Sequence, residues 1–422
     1  MGGLDPSALP DRSLPAHPPA TARAASRVGG LERRLVRRVL EARGGLPFEL
    51  ELWNGERFGA PPESAVARVV LRDRATLLAL AVNPQGAFGD AYARGRLDVQ
   101  GDLVRLLELA FRARPREVGP AWAVGRLASR WLRPNTLRGS RANIWRHYDL
   151  GNDFYRLWLD ENLVYTCAYF PTPEASLEAA QIAKLEHVCR KLRLRPGERV
   201  LEVGCGWGAL AIHMALRWGA RVRAFNISRE QVAWARERAK ELGLVGRVEF
   251  VEDDYRNASG RYDAFVSVGM LEHVGPSHYP ELGHVIQRCL GPDGRGFLHS
   301  IGRDRALPFH PWIERNVFPG AYAPTLSEML QILEPHDLVV LDAENLRLHY
   351  ARTLEHWLAR FERHTEEVTR RFGEEFARMW RLYLAGSVAA FRTGSLQLFQ
   401  VLFARTATNE IPWTRADLYA ER

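Results

Sequence analysis

The stretch "ERVLEVGCGWG", residues 198–208, decides the fold of the larger part of this chain. An apolar run ends in three glycines, Gly204, Gly206 and Gly208, and "ALAIHMALRWG" (209–219) follows with the spacing of a helix. Glycine permits a tight turn and lets the backbone approach a ligand closely. The pattern predicts a strand, a glycine-rich turn and a helix. A glycine turn that binds no ligand is the alternative.

Strands and helices continue to alternate after this unit. The strand patterns are "RVRAFNI" (221–227), "RVEFVEDDY" (247–255), "YDAFVSVGM" (262–270) and "GRGFLHSIG" (294–302). Helix patterns stand between them, and one begins at "SREQ" with Ser228 at the N-cap and Gln231 at the third helical position, a capping-box signature. The alternation predicts a parallel, doubly wound α/β sheet, in which ligands bind outside the carboxyl ends of the strands.

Polar residues at the strand ends indicate which ligand the turn binds. The glycines are spaced GxGxG rather than GxGxxG, and no Lys-Ser/Thr pair of a P-loop follows. Glu202, two residues before the first glycine, suits a ligand with an ammonium group, as in S-adenosylmethionine. Asn226 and Gln231 occupy the place where an acid usually binds ribose hydroxyls. Asp254 can accept from an adenine amino group and Tyr255 can stack on the ring, although ordinary loop packing also explains Tyr255.

Three further polar residues are predicted on the same side of the sheet. Glu272 follows the fourth strand in "SVGMLEHVG", His299 ends the fifth in "HSIG", and Tyr350 precedes a helix in "LHYARTL". Each has an ordinary explanation as a helix cap, a satisfied core histidine or an interface aromatic. Their joint placement beside the cofactor turn favours a catalytic cluster.

The N-terminal third carries the excess positive charge of the chain. Residues 1–150 contain 24 arginines against 15 acidic residues, a net charge of +9, whereas the whole chain is +8. Such a surface could meet nucleic acid or anionic lipid, or it could be a solvated face. No run approaches the roughly 18 apolar residues of a membrane span. "GDAYARGRLDVQGDLVRLLELAF" (89–111) is predicted to begin with a turn and to end in a helix that Asp102 opens.

The four cysteines show no CxxC motif and no His/Cys spacing typical of a metal site. We therefore expect no metal and no disulfide framework, in keeping with a reducing cytosol. Cys167 lies in "YTCAYF" (165–170), and no basic residue in that hexapeptide would lower the pKa of its thiol.

The motifs together resemble those of the cyclopropane fatty acid synthase family, which includes the mycolic acid cyclopropane synthases. The resemblance covers about 140–406, and the matching blocks occur in order: "RHYDLGNDFYRLWLD" (146–160), "YTCAYF", "QIAKLEHVCRKL" (181–192), "VLEVGCGWGALA" (200–211), "SVGMLEHVG" (267–275), "HSIG" (299–302), "WIERNVFPGA" (312–321), "HYARTLEHW" (349–357) and "LQLFQVLFAR" (396–405). The N-terminal unit resembles the extra domain of the phospholipid-acting members more loosely.

The resemblance implies a reaction and a site. The methyl group of S-adenosylmethionine would be transferred to a cis double bond of a phospholipid acyl chain, and the resulting carbocation would close a cyclopropane ring on losing a proton. A bicarbonate ion would act as base, held by Glu272, His299, Tyr350 and the Cys167 region. The cofactor contacts would be Tyr148, Tyr165, Thr166, Glu202, Gly204, Cys205, Gly206, Asn226, Gln231, Asp254 and Tyr255.

The expected architecture is an α/β class I S-adenosylmethionine-dependent methyltransferase, with a Rossmann-like, mostly parallel sheet and a smaller α+β N-terminal domain. The divisions are a disordered leader (1–28), the N-terminal lipid-associating domain (29–115), a basic connector (116–142), the catalytic domain (143–406) and a C-terminal tail (407–422). We expect a cytoplasmic enzyme, peripheral at the inner face of the cell membrane. It would bind anionic phospholipid surfaces and no nucleic acid, with a homodimer possible.

Several alternatives stay open at this point. A hydride shift or water capture would convert the same cation into a methyl-branched, methylene or hydroxylated chain. A small-molecule methyltransferase and a non-enzymatic lipid-binding module are further readings, of which the second would not need the three polar residues together. Alkene methylation has no step that requires a thiolate, so Cys167 is interpreted as part of the pocket, with its backbone N–H directed at the bound anion.

Overall fold

The computed structural model describes residues 28–41, 47–113, 150–409 and 411–419. It divides into two compact units, one formed by Met1–Arg116 with Glu367–Ala389 and the other by Glu117–Glu366 with Ala390–Arg422. The predicted connector lies outside the described residues, as does the leader except for Val28. No described helix has the length and apolar character needed to cross a membrane.

The first unit combines helices with a small mixed sheet. Its helices before the connector are α1 (Gly30–Glu41), α2 (Arg74–Val82), α3 (Pro84–Ala93) and α4 (Leu103–Arg112). Its strands are β1 (Glu49–Glu51), β2 (Arg57–Gly59), β3 (Ala67–Leu71) and β4 (Leu97–Gly101), in the order β2-β1-β3-β4. Only β1 and β3 run parallel. The expected smaller α+β unit is confirmed.

The second unit is built on a seven-stranded sheet. Its strands are β5 (Arg199–Val203), β6 (Arg221–Asn226), β7 (Val248–Glu252), β8 (Tyr262–Val268), β9 (Leu290–Gly302), β10 (Leu338–Asn345) and β11 (Gln397–Arg405). The order is β10-β11-β9-β8-β5-β6-β7, and the strands from β5 to β9 are parallel while β11 is antiparallel to both of its neighbours. The mostly parallel α/β sheet predicted from the sequence is confirmed.

The remaining helices complete the described chain. They are α5 (Asn152–Arg156), α6 (Leu177–Leu192), α7 (Ala209–Trp218), α8 (Arg229–Glu241), α9 (Tyr279–Cys289), α10 (Pro311–Asn316), α11 (Leu326–Leu333), α12 (Arg347–Arg363), α13 (Thr365–Phe372), α14 (Glu374–Arg392) and α15 (Ala416–Tyr419). In the first unit the buried Arg378 of α14 donates to the carbonyl oxygens of Tyr92 (2.6 Å) and Leu97 (3.0 Å) and pairs with Asp98.

The core of the second unit explains why β5 reads as a continuous apolar run. Val200, Leu201 and Val203 are all fully buried, because the strand is covered on both faces. One buried cluster joins α6, α7 and α8 to the sheet, and a second joins α9 and α11 to it. Burying one such side chain stabilises the fold by about 1.5–3 kcal/mol. The core therefore fixes the strand whose carboxyl end carries the glycine turn.

Two local predictions differ from the structure. Residues 89–93 of "GDAYARG" are not a turn but the end of α3, because Asn83 caps that helix and Ala91, Tyr92 and Ala93 are buried within it; the turn is confined to Arg94 and Gly95. Ser228 is the N-cap of α8, but no side-chain capping bond forms there among the described residues. Gln231 instead accepts a hydrogen bond from Asn226 Nδ2 at 2.8 Å, which occupies the amide that the capping box would need.

Candidate active site

A pocket lies beyond the carboxyl ends of β5, β6, β7 and β8. It holds about 1150 Å³ of empty space, part of it open to solvent. Ten of the eleven predicted cofactor residues line it: Tyr165, Thr166, Glu202, Gly204, Cys205, Gly206, Asn226, Gln231, Asp254 and Tyr255. The eleventh, Tyr148, lies outside the described residues. The structure thus brings together positions that are up to 90 residues apart in the sequence, from 165 to 255.

The glycine turn requires glycine for steric and conformational reasons. Gly204 has φ +85°, and a Cβ there would lie 2.6 Å from the Cβ of Met270. Gly208 has φ +87° and begins α7, and a Cβ there would lie 2.6 Å from the ring of Phe250. Both values lie in the left-handed region that side chains rarely adopt. The turn can therefore pass between these neighbours only without a side chain.

Asn226, at the end of β6, connects the glycine turn to α8 through hydrogen bonds. Its Nδ2 donates to the carbonyl oxygen of Gly206 at 3.1 Å and to Gln231 Oε1, while its Oδ1 accepts from the backbone N–H of Ser228 at 3.1 Å. An amide can make these bonds in both directions, whereas a carboxylate could only accept. Asn226, which stands where an acidic residue usually binds the ribose hydroxyls, therefore also has a structural role in shaping the pocket.

Asp254 after β7 is held by a neighbouring arginine. Arg256 donates to its two carboxylate oxygens at 2.8 Å and 2.9 Å, and the backbone N–H of Arg256 also donates to Oδ1. Bidentate pairing fixes the plane of the carboxylate while leaving further lone pairs available to a ligand. Burial raises the pKa of the adjacent Tyr255 phenol, so the ring stays neutral at the pocket wall.

Two ionisable residues, Glu202 and Lys184, are buried in the wall of the pocket. The sequence analysis identified Glu202 but not Lys184. Burial raises the pKa of Glu202 to about 8, against the opposing charge of Lys184. Burial lowers the pKa of Lys184 to about 8, against the negative groups around it. Lys184 Nζ donates to Thr166 Oγ1 at 3.0 Å. The missed signal was a lysine on the buried face of α6, which also carries Leu177, Leu185, Val188 and Leu192.

Glu272 and His299 lie next to the pocket but do not line it. Glu272 Oε1 accepts from the backbone N–H of Ile301 at 2.6 Å, and within the described part of the chain its buried Oε2 has no hydrogen-bond partner. Burial raises the pKa of Glu272 to about 7. The amide nitrogen of Gln400 lies 3.1 Å from His299 Nδ1, and His299 Nε2 is likewise buried without a partner among the described residues. Burial also lowers the pKa of His299, which keeps the ring neutral.

The other two predicted catalytic residues also lie outside the lining of the cofactor pocket. Tyr350 is in the first turn of α12 rather than before it, and its ring packs 4.5 Å from that of Phe391. Cys167 is fully buried, and its thiol donates to the carbonyl oxygen of Ala168 at 3.1 Å. Burial raises the pKa of this thiol far above its usual range, so it remains protonated. Its environment is that of a packed side chain rather than of a nucleophile.

Other lining residues complete the pocket. Trp207 lies inside the glycine motif and donates through Nε1 to Asn152 Oδ1 at 2.7 Å. Burial lowers the pKa of His273 to about 4, so this lining residue is neutral. Trp207 could have been noticed from its place in "EVGCGWG", but nothing in the sequence distinguishes His273 from a surface residue of the loop. Within the described residues no group of acids, histidines and cysteines could hold a metal ion.

Comparison with known proteins identifies relatives of both parts of the chain. A family model described as mycolic acid cyclopropane synthetase matches residues 136–401, and one described as a domain of unknown function, DUF7884, matches residues 35–117. A probable fatty acid methyltransferase of Pseudomonas putida is 35% identical over 394 residues, which cover 89% of this chain and 96% of that protein. The cyclopropane-fatty-acyl-phospholipid synthase of Escherichia coli K12 is 41% identical over 264 residues, which cover 62% and 68%.

A solved structure shares the architecture of the second unit. Mycolic acid cyclopropane synthase CmaA1, complexed with SAH and CTAB, matches with a TM-score of 0.60 and 29% sequence identity. The match covers 63% of this chain and 98% of that one. The class I methyltransferase fold expected from the glycine turn is confirmed.

Proposed function

The chain belongs to the mycolic acid cyclopropane synthetase family and is an S-adenosylmethionine-dependent methyltransferase, and from this premise we propose that it methylates the cis double bond of unsaturated acyl chains in membrane phospholipids. The product is a cyclopropane ring. The pocket beyond β5 to β8 binds S-adenosylmethionine, and the reaction takes place on its side nearest Glu272 and His299.

One observation carries this proposal: two buried polar atoms beside the pocket have no partner. Leaving a buried acceptor or donor unsatisfied costs about 1–3 kcal/mol. Glu272 Oε2 and His299 Nε2 are both in this state among the described residues. Gln400 donates to Nδ1 of His299, so the neutral ring carries its proton on Nε2. The two atoms form one acceptor and one donor, as a small protic anion requires.

A bicarbonate ion fits this pair of groups. Its hydroxyl could donate to Glu272 Oε2, and one of its oxygens could accept from His299 Nε2–H. The Tyr350 hydroxyl and the backbone near Cys167 would supply the remaining contacts. When bound, the anion supplies a base small enough to reach the methyl proton, and its negative charge stabilises the cation. Glu272, with a pKa of about 7, can take up the proton near neutral pH.

The aromatic residues next to Tyr165 are suited to a cationic reaction. Tyr165 lines the pocket, and its ring lies 5.2 Å from Trp158 and 5.3 Å from Trp357, both fully buried. Aromatic faces stabilise a neighbouring positive charge without forming a bond to it. A buried wall of this kind also excludes water, which would trap the cation as an alcohol.

A methyl-branched or methylene product is the second candidate. A relative that covers 89% of this chain is named a probable fatty acid methyltransferase, a name that does not specify a ring. Both outcomes use the same methyl transfer and differ in what the cation does afterwards. Loss of a proton from the new methyl closes the ring, whereas a hydride shift leaves a branch.

Mass spectrometry of lipids from cells that express the chain distinguishes these outcomes. We expect acyl chains that gain one CH₂, lose the double bond and resist mild hydrogenation as a ring. A gain of CH₂ in a branched chain would replace the leading proposal by the second candidate. Unchanged acyl chains, with only small molecules methylated, would contradict both. A Glu272→Gln strain provides the matched control.

We further propose that the arginine-rich N-terminal third brings the enzyme to anionic lipid. Several arginines of the first unit are already paired, such as Arg57 with Glu51 at 2.9 Å and Arg96 with Asp73 at 2.7 Å. The net charge of +9 over residues 1–150 remains available to headgroups, each basic residue adding about 1 kcal/mol near the surface. We expect sedimentation with anionic vesicles to fall as salt rises. Equal sedimentation at low and high salt would contradict this.

A further inference from the structure

Lys184 and Glu202, one basic and one acidic residue, are both buried in the wall of the cofactor pocket. Each is 2% exposed, and each lines the pocket, Lys184 from α6 and Glu202 from β5. They are not paired with each other, since no ion pair within 4 Å joins them. Glu202 Oε2 has no hydrogen-bond partner among the described residues. An amino group and a carboxyl group that are buried in one wall without pairing with each other suit a ligand that carries both signs.

A second buried lysine on the same helix, unlike Lys184, is paired with carboxylates of the protein. Lys191, also 2% exposed, lies 2.7 Å from Glu344 and 3.7 Å from Asp342. Lys184, seven residues earlier, has Thr166 Oγ1 as its recorded hydrogen-bond acceptor within the described chain. A lysine ammonium has three donors, so two remain for a ligand.

The carboxylate of Asp160, which acts electrostatically on Lys184, is hydrogen-bonded to the loop before Tyr165. Asp160 Oδ1 accepts from the backbone N–H of Val164 at 2.8 Å, and Oδ2 accepts from that of Asn162 at 3.0 Å. Asp160 therefore holds the loop that leads to Tyr165 and does not form an ion pair with Lys184. Lys184 therefore has no carboxylate within ion-pair distance in the described chain, and the carboxylate of a ligand can take that place.

We propose that Lys184 binds the carboxylate of the amino-acid end of S-adenosylmethionine, while Glu202 binds its ammonium group. Thr166 Oγ1 accepts from Lys184 and leaves its own hydroxyl proton for the same carboxylate. Binding the amino-acid end through both of its charged groups fixes the position of the sulfonium methyl group relative to the acyl chain. This inference rests on the assignment of the pocket to S-adenosylmethionine.

The wild-type protein alone allows a first test, by calorimetric titration with two ligands. Decarboxylated S-adenosylmethionine lacks only the carboxylate. Because a hydrogen bond to a charged group is strong, we expect it to bind roughly 10- to 100-fold more weakly than S-adenosylmethionine. Equal affinities would overturn the proposal. Failure of both ligands to bind would instead contradict the proposed function.

The variant Lys184→Met then locates the contact. We expect it to weaken binding of S-adenosylmethionine by a similar factor and to leave the affinity for decarboxylated S-adenosylmethionine and for 5′-methylthioadenosine nearly unchanged. A merely structural lysine would weaken all three ligands together, which would also overturn the proposal. Lys191→Met is the matched control, because it removes a buried lysine of the same helix outside the pocket, and the ratio of affinities should stay at the wild-type value. If Lys184→Met does not fold, the wild-type affinities for S-adenosylmethionine and its decarboxylated form still decide whether the pocket binds the carboxylate.

Discussion

The cofactor pocket and the pair formed by Glu272 and His299 lie beyond neighbouring strands of one sheet, yet they are built differently. The pocket depends on backbone shape: Gly204 and Gly208 have positive φ, and an added Cβ at either would meet a neighbour. The pair depends on burial, since its key atoms are isolated side-chain atoms without partners in the described chain. We therefore expect the glycine turn to lose function when side-chain volume is added at Gly204 or Gly208. We expect the Glu272 and His299 pair to lose function when its charge or hydrogen bonding changes.

The largest expected effect is at the buried pair. Glu272→Gln keeps the size of the side chain but removes the group that takes up a proton. We expect turnover to fall roughly 10²- to 10⁴-fold, the usual contribution of general base catalysis. The affinity for S-adenosylmethionine should stay within about twofold of wild type, since Glu272 does not line the pocket. Rates from lipid assays and affinities from calorimetry give the two numbers.

Stability provides the control for this variant. Burial raises the pKa of Glu272 in the folded protein above its unfolded value, so folding favours the protonated form. At pH 8 the carboxylate is ionised in both states and its burial opposes folding. The uncharged glutamine avoids this cost, so the melting temperature of the variant at pH 8 should not fall. Wild-type turnover in the folded variant would remove Glu272 from the mechanism.

A substitution in the glycine turn should affect binding instead. Gly204→Ala places a Cβ 2.6 Å from that of Met270 at φ +85°. We expect it to weaken S-adenosylmethionine binding by about tenfold or more and to destabilise the fold by about 1–3 kcal/mol. Gly206→Ala is the matched control, because its φ is +54° and nothing lies within 4 Å of the added Cβ. Equal losses in both variants would show that the clash with Met270 is not the cause.

The pH profile should reveal the pair through its titration. Glu272 has to be ionised to accept a proton, and its pKa is about 7. Lowering the pH from 8 to 6 should therefore reduce turnover about tenfold, following the ionised fraction. The effect is measured at saturating S-adenosylmethionine, and the residual activity of Glu272→Gln should lack this step. A flat wild-type profile over this range would contradict the assignment.

The smallest effect is expected at Cys167. Its thiol is protonated and packed, so Cys167→Ser should keep turnover within about tenfold of wild type and cost about 1–3 kcal/mol, because the serine hydroxyl is more polar in a fully buried site. Chemical denaturation measures the second quantity. Complete loss of activity in a folded serine variant that still binds the cofactor would restore the nucleophile hypothesis.

Sequence patterns anticipated the pocket better than the chemistry around it. The glycine turn, Glu202 and the strand-end residues follow local rules of spacing, so the sequence alone predicts them. Lys184 was missed because a lysine within a helix is usually solvent-exposed, and only the packing of α6 on the sheet buries it. The capping prediction at Ser228 failed because Asn226, from the preceding strand, engages Gln231.

By itself the sequence determined the alternating α/β order, the position of the glycine turn and the family to which the second unit belongs. Those properties are local, because backbone conformation and apolar periodicity are encoded within a few residues. Only the tertiary structure decided which polar atoms lack partners and which charges are paired. Burial depends on neighbours that are distant in sequence: Glu272 meets Ile301, His299 meets Gln400, and Lys184 meets Thr166.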